Sequence, residues 1–172
     1  MELDPFNVHF QSFRAQIFVA LRRYDEAITQ ARDVLRSVPG QPVASTALLA
    51  ALHHKGMDNE VMAEWKGWEN LRGNRGDIEA FERGYKEGGY GAGWKRLAEY
   101  QAARFSLKYT NPFGIAVAFA RAGEDALALD WLDKAFEIHD PNMPYAFVWP
   151  YWETLRSNPR FQALRRKMNL PE

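Results

Sequence analysis

The segment Val8 to Gln41, VHFQSFRAQIFVALRRYDEAITQARDVLRSVPGQ, decides how the chain is read. Phe10, Phe13, Ile17 and Leu21 recur every third or fourth position, which gathers side chains on one face of a helix and predicts a buried stripe. The polar run Arg22-Arg23-Tyr24-Asp25 interrupts that pattern. Beyond it Ala27, Ile28, Ala31, Val34, Leu35 and Val38 make a second stripe, which stops at Pro39-Gly40 because proline cannot continue a helix. Two such helices separated by a short polar break make an antiparallel hairpin.

The same grammar returns downstream. Pro42 suits a helix start, Ala47 to Leu52 are mostly apolar, and Gly56-Met57-Asp58 breaks the chain before Val61, Trp65 and Trp68. A pair of helices cannot bury both of its faces alone, so successive hairpins are expected to stack and share a core.

At this point the residues resemble the tetratricopeptide repeat, whose signature spaces small and aromatic residues over a fixed period. Ala15 stands in the small position of the first helix, Phe18 in the aromatic one, Ala27 in the small position opening the second helix, and Pro39 in the terminating slot. Gln11 and Arg14 replace the usual Trp and Leu. In the next register Leu48, Leu52, Gly56 and Trp65 fall at apolar, apolar, turn and aromatic positions, and counting backward puts Pro5 in a terminating slot. A further unit begins at about Tyr109, with Asn111-Pro112 as helix start, then Ile115, Ala116, Phe119, the break Gly123-Glu124-Asp125, and Ala128, Trp131, Leu132 and Ala135. Between them Asp77 to Leu107 matches poorly, with glycines at 84, 88, 89, 91 and 93, and reads as a degenerate repeat of two helices around a flexible turn.

After Asp140-Pro141 comes an aromatic stretch from Tyr145 to Trp152, and Asn158-Pro159 opens a short helix with Phe161, Leu164 and Met168 on one face. Arg160, Arg165, Arg166 and Lys167 would give that helix the polar outer face of a cap. The resemblance implies an all-α fold, a right-handed α-α superhelix of antiparallel hairpins ending in a capping helix. The expected layout is a single domain over 1–172, with repeats at 8–41, 42–75, 76–108 (degenerate) and 109–141, and the aromatic segment and cap at 142–172. The tail from Gly123 to Pro171 also resembles the C-terminal repeat regions of bacterial multidomain signalling proteins.

Charge narrows the partners. The 22 basic and 22 acidic residues cancel, so no global field draws the chain to nucleic acid or an anionic membrane, and the Arg165-Arg166-Lys167 run reads as a solvated helix face. There is no cysteine, hence no disulfide framework. Met1-Glu2-Leu3-Asp4-Pro5 lacks the basic and apolar runs of a signal peptide, so a soluble, cytoplasmic protein is expected. Leu3-Asp4-Pro5 reads like the end of a preceding helix, as if the chain were part of a longer protein.

Candidate chemistry is sparse. Gly88-Gly89-Tyr90-Gly91-Ala92-Gly93 lacks the preceding strand of a phosphate-binding loop and reads as a turn between helices. The histidines at 9, 53, 54 and 139 have no metal-ligand spacing, and adjacent His53 and His54 diverge on a helix, so no metal and no cofactor are expected. Asp25-Glu26 and Glu124-Asp125 stand before helices and read as terminal charges that favour the helix dipole; no catalytic residue and no enzyme activity is expected. The tryptophans read as packing between hairpins, while Trp149-Pro150-Tyr151-Trp152 is the place for an exposed aromatic contact.

The resemblance also implies a groove lined by first helices. Its positions carry over to His9, Ser12, Phe13, Gln16 and Val19 in the first unit, Val43, Thr46, Ala50 and His53 in the second, and Thr110, Phe113, Val117 and Arg121 in the fourth. Gln16 and Ala50 stand where asparagines would grip a C-terminal carboxylate, so that clamp is not expected. The function implied is a protein-interaction module binding an uncharged or amphipathic peptide or partner domain, with self-association open. A small-molecule sensor domain is the alternative.

Overall fold

The computed structural model describes residues 7–107 and 110–170. Among them the chain is all-helical, with eight α-helices, two short 3-10 turns and no strand. The readings placed on Leu3, Asp4, Pro5 and Tyr109, and the segment ends at 108 and 171–172, lie outside the described residues. Contacts divide the chain into two compact units, Met1–Asn74 and Arg75–Glu172.

The first unit holds α1 (Val8–Ala20), α2 (Tyr24–Ser37), α3 (Pro42–His54) and α4 (Asp58–Leu71). Helix α1 packs on α2 and α3, α2 on α3, and α3 on α4. The first helix of each pair opens on a side-chain cap. The Asn7 carboxamide accepts from the His9 amide (2.9 Å) and that of Gln41 from the Ala44 amide (2.6 Å), which satisfies donors that have no partner inside the helix.

Each of these helices ends on a left-handed residue whose successor reaches back along the helix. Arg22 (φ 63°) lets the Arg23 amide reach the Phe18 carbonyl at 2.9 Å, and Gly56 (φ 67°) lets Met57 reach Leu52 at 3.0 Å. Gly73 (φ 73°) repeats the device at the end of α4, with the Asn74 amide on the Glu69 carbonyl at 3.0 Å. The period is strict: Pro42 lies 34 positions after Val8, Asp58 34 after Tyr24, and Gly56 34 after Arg22.

Helix α1 is turned the opposite way from its expected orientation. Phe10, Phe13, Ile17 and Leu21, expected as the buried stripe, are between 44 and 58% exposed, while Ser12, Ala15 and Val19 are fully buried. Small side chains allow α2 and α3 to approach the α1 backbone closely, so the side with the least bulk is the one that faces the core. The Ser12 hydroxyl is accommodated there by donating to the Val8 carbonyl (2.6 Å). In α2, Ala27, Ile28, Ala31 and Val34 are buried as expected, whereas Leu35 is half-buried and Val38 exposed. Leu48, Leu52, Val61 and Trp65 are core residues, and Trp68 is half-buried.

The second unit comprises α5 (Arg75–Arg104), α6 (Pro112–Arg121), α7 (Asp125–Glu137), 3-10 turns at Met143–Phe147 and Pro150–Trp152, and α8 (Pro159–Lys167). Helix α5 is broken at Gly88 and Gly89, the latter at φ 77°, ψ −159°, a region open essentially to glycine alone. Its two arms fold back on each other, with Gln101 donating to Asp77 (2.6 Å), Arg96 beside Glu87 (3.3 Å) and Phe81 edge-on to Trp94 (5.1 Å).

The glycines of this segment therefore serve two purposes. Gly88 and Gly89 make the elbow, whereas Gly84 and Gly93 let the arms touch. A Cβ on Gly84 would overlap the Ala92 carbonyl oxygen and lie 2.7 Å from the Arg96 Cβ, and one on Gly93 would lie 2.8 Å from the Phe81 ring.

Helix α6 packs on α5 and α7, and α7 on α8. The Asn111 side chain caps α6 by accepting from Gly114 (3.1 Å), and Gly123 (φ 77°) ends the helix with the Glu124 amide on Phe119 (2.9 Å). At the end of α7, His139 (φ 57°) takes the left-handed place and the Asp140 amide reaches Ala135 (2.9 Å). The buried Asp140 carboxylate accepts from the Asn142 amide (2.9 Å) and from the Phe113 amide at the start of α6 (3.3 Å).

Trp149, Tyr151 and Trp152, where an exposed aromatic contact stood as the alternative to packing, are buried at 6, 7 and 1% exposure, because the turn Pro150–Trp152 packs against α6. Helix α8 buries Phe161 and Leu164, and Arg160 bridges Asp130 (2.7 Å) and Asp133 (2.6 Å) on α7.

Two substitutions check this account by urea denaturation. Gly84→Ala should cost about 1–3 kcal/mol through overpacking against backbone. Gly123→Ala, where an added Cβ meets nothing within 4 Å, should cost only the left-handed backbone penalty of roughly 1–2 kcal/mol.

Candidate functional site

In the first unit α1 and α3 are packed neighbours, which brings the groove positions of both helices onto adjoining surfaces. His9 and Phe13 are exposed, and Gln16, Val43, Thr46 and His53 half-buried. Ser12, Val19 and Ala50 are fully buried and present no surface. The Thr46 hydroxyl donates to the Pro42 carbonyl (2.8 Å), repeating the Ser12 bond one period later. The His53 ring sits edge-on to His54 at 5.1 Å, and His54 stacks on Tyr24 at 5.5 Å. None of these residues carries a fixed charge, and Lys55, which follows α3, is paired with Asp25.

In the second unit the four candidates Thr110, Phe113, Val117 and Arg121 are half-buried. The Phe113 ring meets Trp152 edge-on at 5.8 Å. Arg121 is enclosed between two rings, its guanidinium 4.4 Å from the Trp94 centroid and 5.1 Å from that of Tyr151, and it donates to the Tyr151 hydroxyl at 2.6 Å. Such a guanidinium is held by cation–π attraction and a hydrogen bond, so it fixes the aromatic segment to α6. Burial pushes the Tyr151 phenol up from its ordinary value, with the Arg121 charge and hydrogen bond opposing that shift.

A feature not anticipated from the sequence lies beside α2. An open groove of about 500 Å³ has Ile28, Leu35 and Leu48 in its wall and Thr29, Arg32, Asp33, Arg36 and Glu64 around it. Arg32 reaches Glu60 at 2.5 Å and Arg36 pairs with Asp33. The sequence signal available was Leu35 at the edge of the α2 stripe, but the charges at 32, 33 and 36 read equally well as a solvated face.

Among the described residues no group of three or more histidine or acidic side chains could hold a metal ion. No described helix is long and apolar enough to cross a membrane. No family model matches the chain, and neither a curated protein nor a solved structure does.

The Tyr151 environment predicts a pH dependence. The phenol stays protonated in the fold while in the unfolded chain it ionises near pH 10, so the unfolded state releases its proton first. Its contribution to stability is complete below that pH and falls as pH rises towards the raised folded value. Tyr151→Phe should cost about 1–3 kcal/mol at neutral pH by taking the hydroxyl partner from Arg121, and should flatten the alkaline decline measured by thermal melts between neutral pH and pH 11.

Proposed function

We propose that the chain is a tetratricopeptide-like solenoid whose hairpins wind in a right-handed superhelix capped by α8. In this reading it works as a protein-binding module of a larger bacterial regulatory protein, holds a peptide or partner domain on its first-helix face, and has no catalytic role of its own. The observation that carries the reading is the strict 34-residue recurrence in the first unit of helix starts at Val8 and Pro42, second helices at Tyr24 and Asp58, and left-handed turns at Arg22 and Gly56. A chain that repeats its backbone at one interval builds like faces side by side, and such rows suit extended or helical ligands.

The chemistry of that face supports an uncharged or amphipathic ligand. Exposed Phe13 and half-buried Val43 offer apolar contact, and Gln16 and His53 offer hydrogen bonds without fixed charge. Arg121 is occupied by the Tyr151 hydroxyl and by the rings of Trp94 and Tyr151.

Selection of binders from a displayed peptide library, followed by titration against variants, tests the proposal. Ligands drawn from the selection should be uncharged or amphipathic, and the double substitution Phe13→Ala, Gln16→Ala should weaken them about tenfold or more. Full retention of binding by that double variant removes the first-helix face from consideration.

A further inference from the structure

The groove beside α2 lies where a ladder of ion pairs between the hairpins of the first unit loses a rung. Lys55 at the end of α3 pairs with Asp25 in the first turn of α2, and further along α2 Arg32 reaches Glu60 of α4 at 2.5 Å. One helical turn on, the same step along both helices carries Arg32 to Arg36 and Glu60 to Glu64. That second bridge is not made. Arg36 turns back to Asp33 on its own helix, and the exposed Glu64 has no ion-pair or hydrogen-bond partner among the described residues. Arg32, Arg36 and Glu64 stand around the opening of about 500 Å³ that results, and its wall carries the buried Ile28 and Leu48 and the half-buried Leu35.

The opening specifies its occupant twice over. Three aliphatic side chains in one wall favour an apolar group. The charges then fix what must lie beside it. The guanidinium groups of Arg32 and Arg36 are each taken by a carboxylate, Glu60 and Asp33, so Glu64 is the unmatched group and the surroundings carry an excess of negative charge. Thr29 competes for none of this, because its hydroxyl donates to the Asp25 carbonyl (3.0 Å).

We propose that this groove binds a segment of a partner protein in which aliphatic residues adjoin a lysine, the aliphatic side chains lying on Ile28, Leu35 and Leu48 and the ammonium completing the rung at Glu64. Lysine suits the place because its methylene stem covers apolar surface while its charged end stays in water beside the carboxylate. Asp33 acts as a positioning residue: by holding Arg36 it keeps the chain's own guanidinium off Glu64 and the groove open. No lining residue belongs to the first-helix face, so this surface is a second one, independent of the function proposed above.

The probes are two short peptides, acetyl-Gly-Leu-Leu-Lys-Gly-amide and its counterpart with Glu in place of Lys, titrated into the isotope-labelled full chain and followed by amide chemical shifts. The lysine peptide should give saturable shifts at Ile28, Leu35, Leu48 and Glu64, and at low salt the glutamate peptide should bind about tenfold more weakly, with the gap narrowing at high salt. Glu64→Gln, at an exposed position, should weaken the lysine peptide about threefold, the size of a solvent-exposed ion pair. Asp33→Asn should weaken it by a similar factor by releasing Arg36 onto Glu64, and adding Arg36→Gln should restore it, a rescue that simple loss of folding does not give. Phe13→Ala, Gln16→Ala should leave binding of this peptide intact, which keeps failure here distinct from failure of the first-helix face. Absence of saturable shifts at those positions, equal binding of the two peptides, or full retention by Glu64→Gln overturns the proposal. Preference for the glutamate peptide overturns it too, by assigning the groove to Arg32 and Arg36, and absence of the rescue removes the role given to Asp33.

Discussion

A helix can stop only where its last carbonyls find donors, and in this chain one solution to that requirement recurs at the turn of the pairs α1–α2, α3–α4 and α6–α7. A single residue in the left-handed region, followed by an amide that reaches five positions back, closes α1, α3, α4, α6 and α7 alike. Because the reversal takes so few residues, the second helix of each pair must start at once and run back along the first. That is why Tyr24, Asp58 and Asp125 begin their helices without a side-chain cap, with carboxylates in the first turn instead. Helices α3 and α6 follow longer connections, and Gln41 and Asn111 cap them as Asn7 caps α1.

The hairpins were legible because turn chemistry and caps are local. Pro39-Gly40, Gly56, Asn111-Pro112, Gly123 and Asn158-Pro159 each mark a boundary where the structure has one. Which side of a helix faces inward is not local. The periodicity of Phe10, Phe13, Ile17 and Leu21 identified a helix correctly, and its apolar face was real, but burial went to Ser12, Ala15 and Val19, whose small size lets neighbours approach. Hydrophobicity predicts what gains from burial; close packing decides what fits. The aromatic run at 149–152 left packing and exposure both open, since its irregular sequence gave no period from which its packing on α6 could be inferred.

The candidate site was legible in outline only. The positions carried over from the repeat resemblance fall on α1, α3 and α6 apart from Thr110, yet Ser12, Val19 and Ala50 are fully buried, and Arg121 is engaged with Trp94 and Tyr151. Contacts made by residues far apart in the chain, such as Trp94 with Arg121 and Tyr151, leave no signature at any of those positions alone.

Asp140 carries a consequence for how the second unit comes apart. Its amide fastens the end of α7, and its carboxylate fastens the first turn of α6, so the two extremities of that hairpin share one residue. Such a clasp removes independent fraying. Loosening either tip releases a buried carboxylate from its donors, so the pair opens as a single cooperative event and not by gradual unravelling from one end.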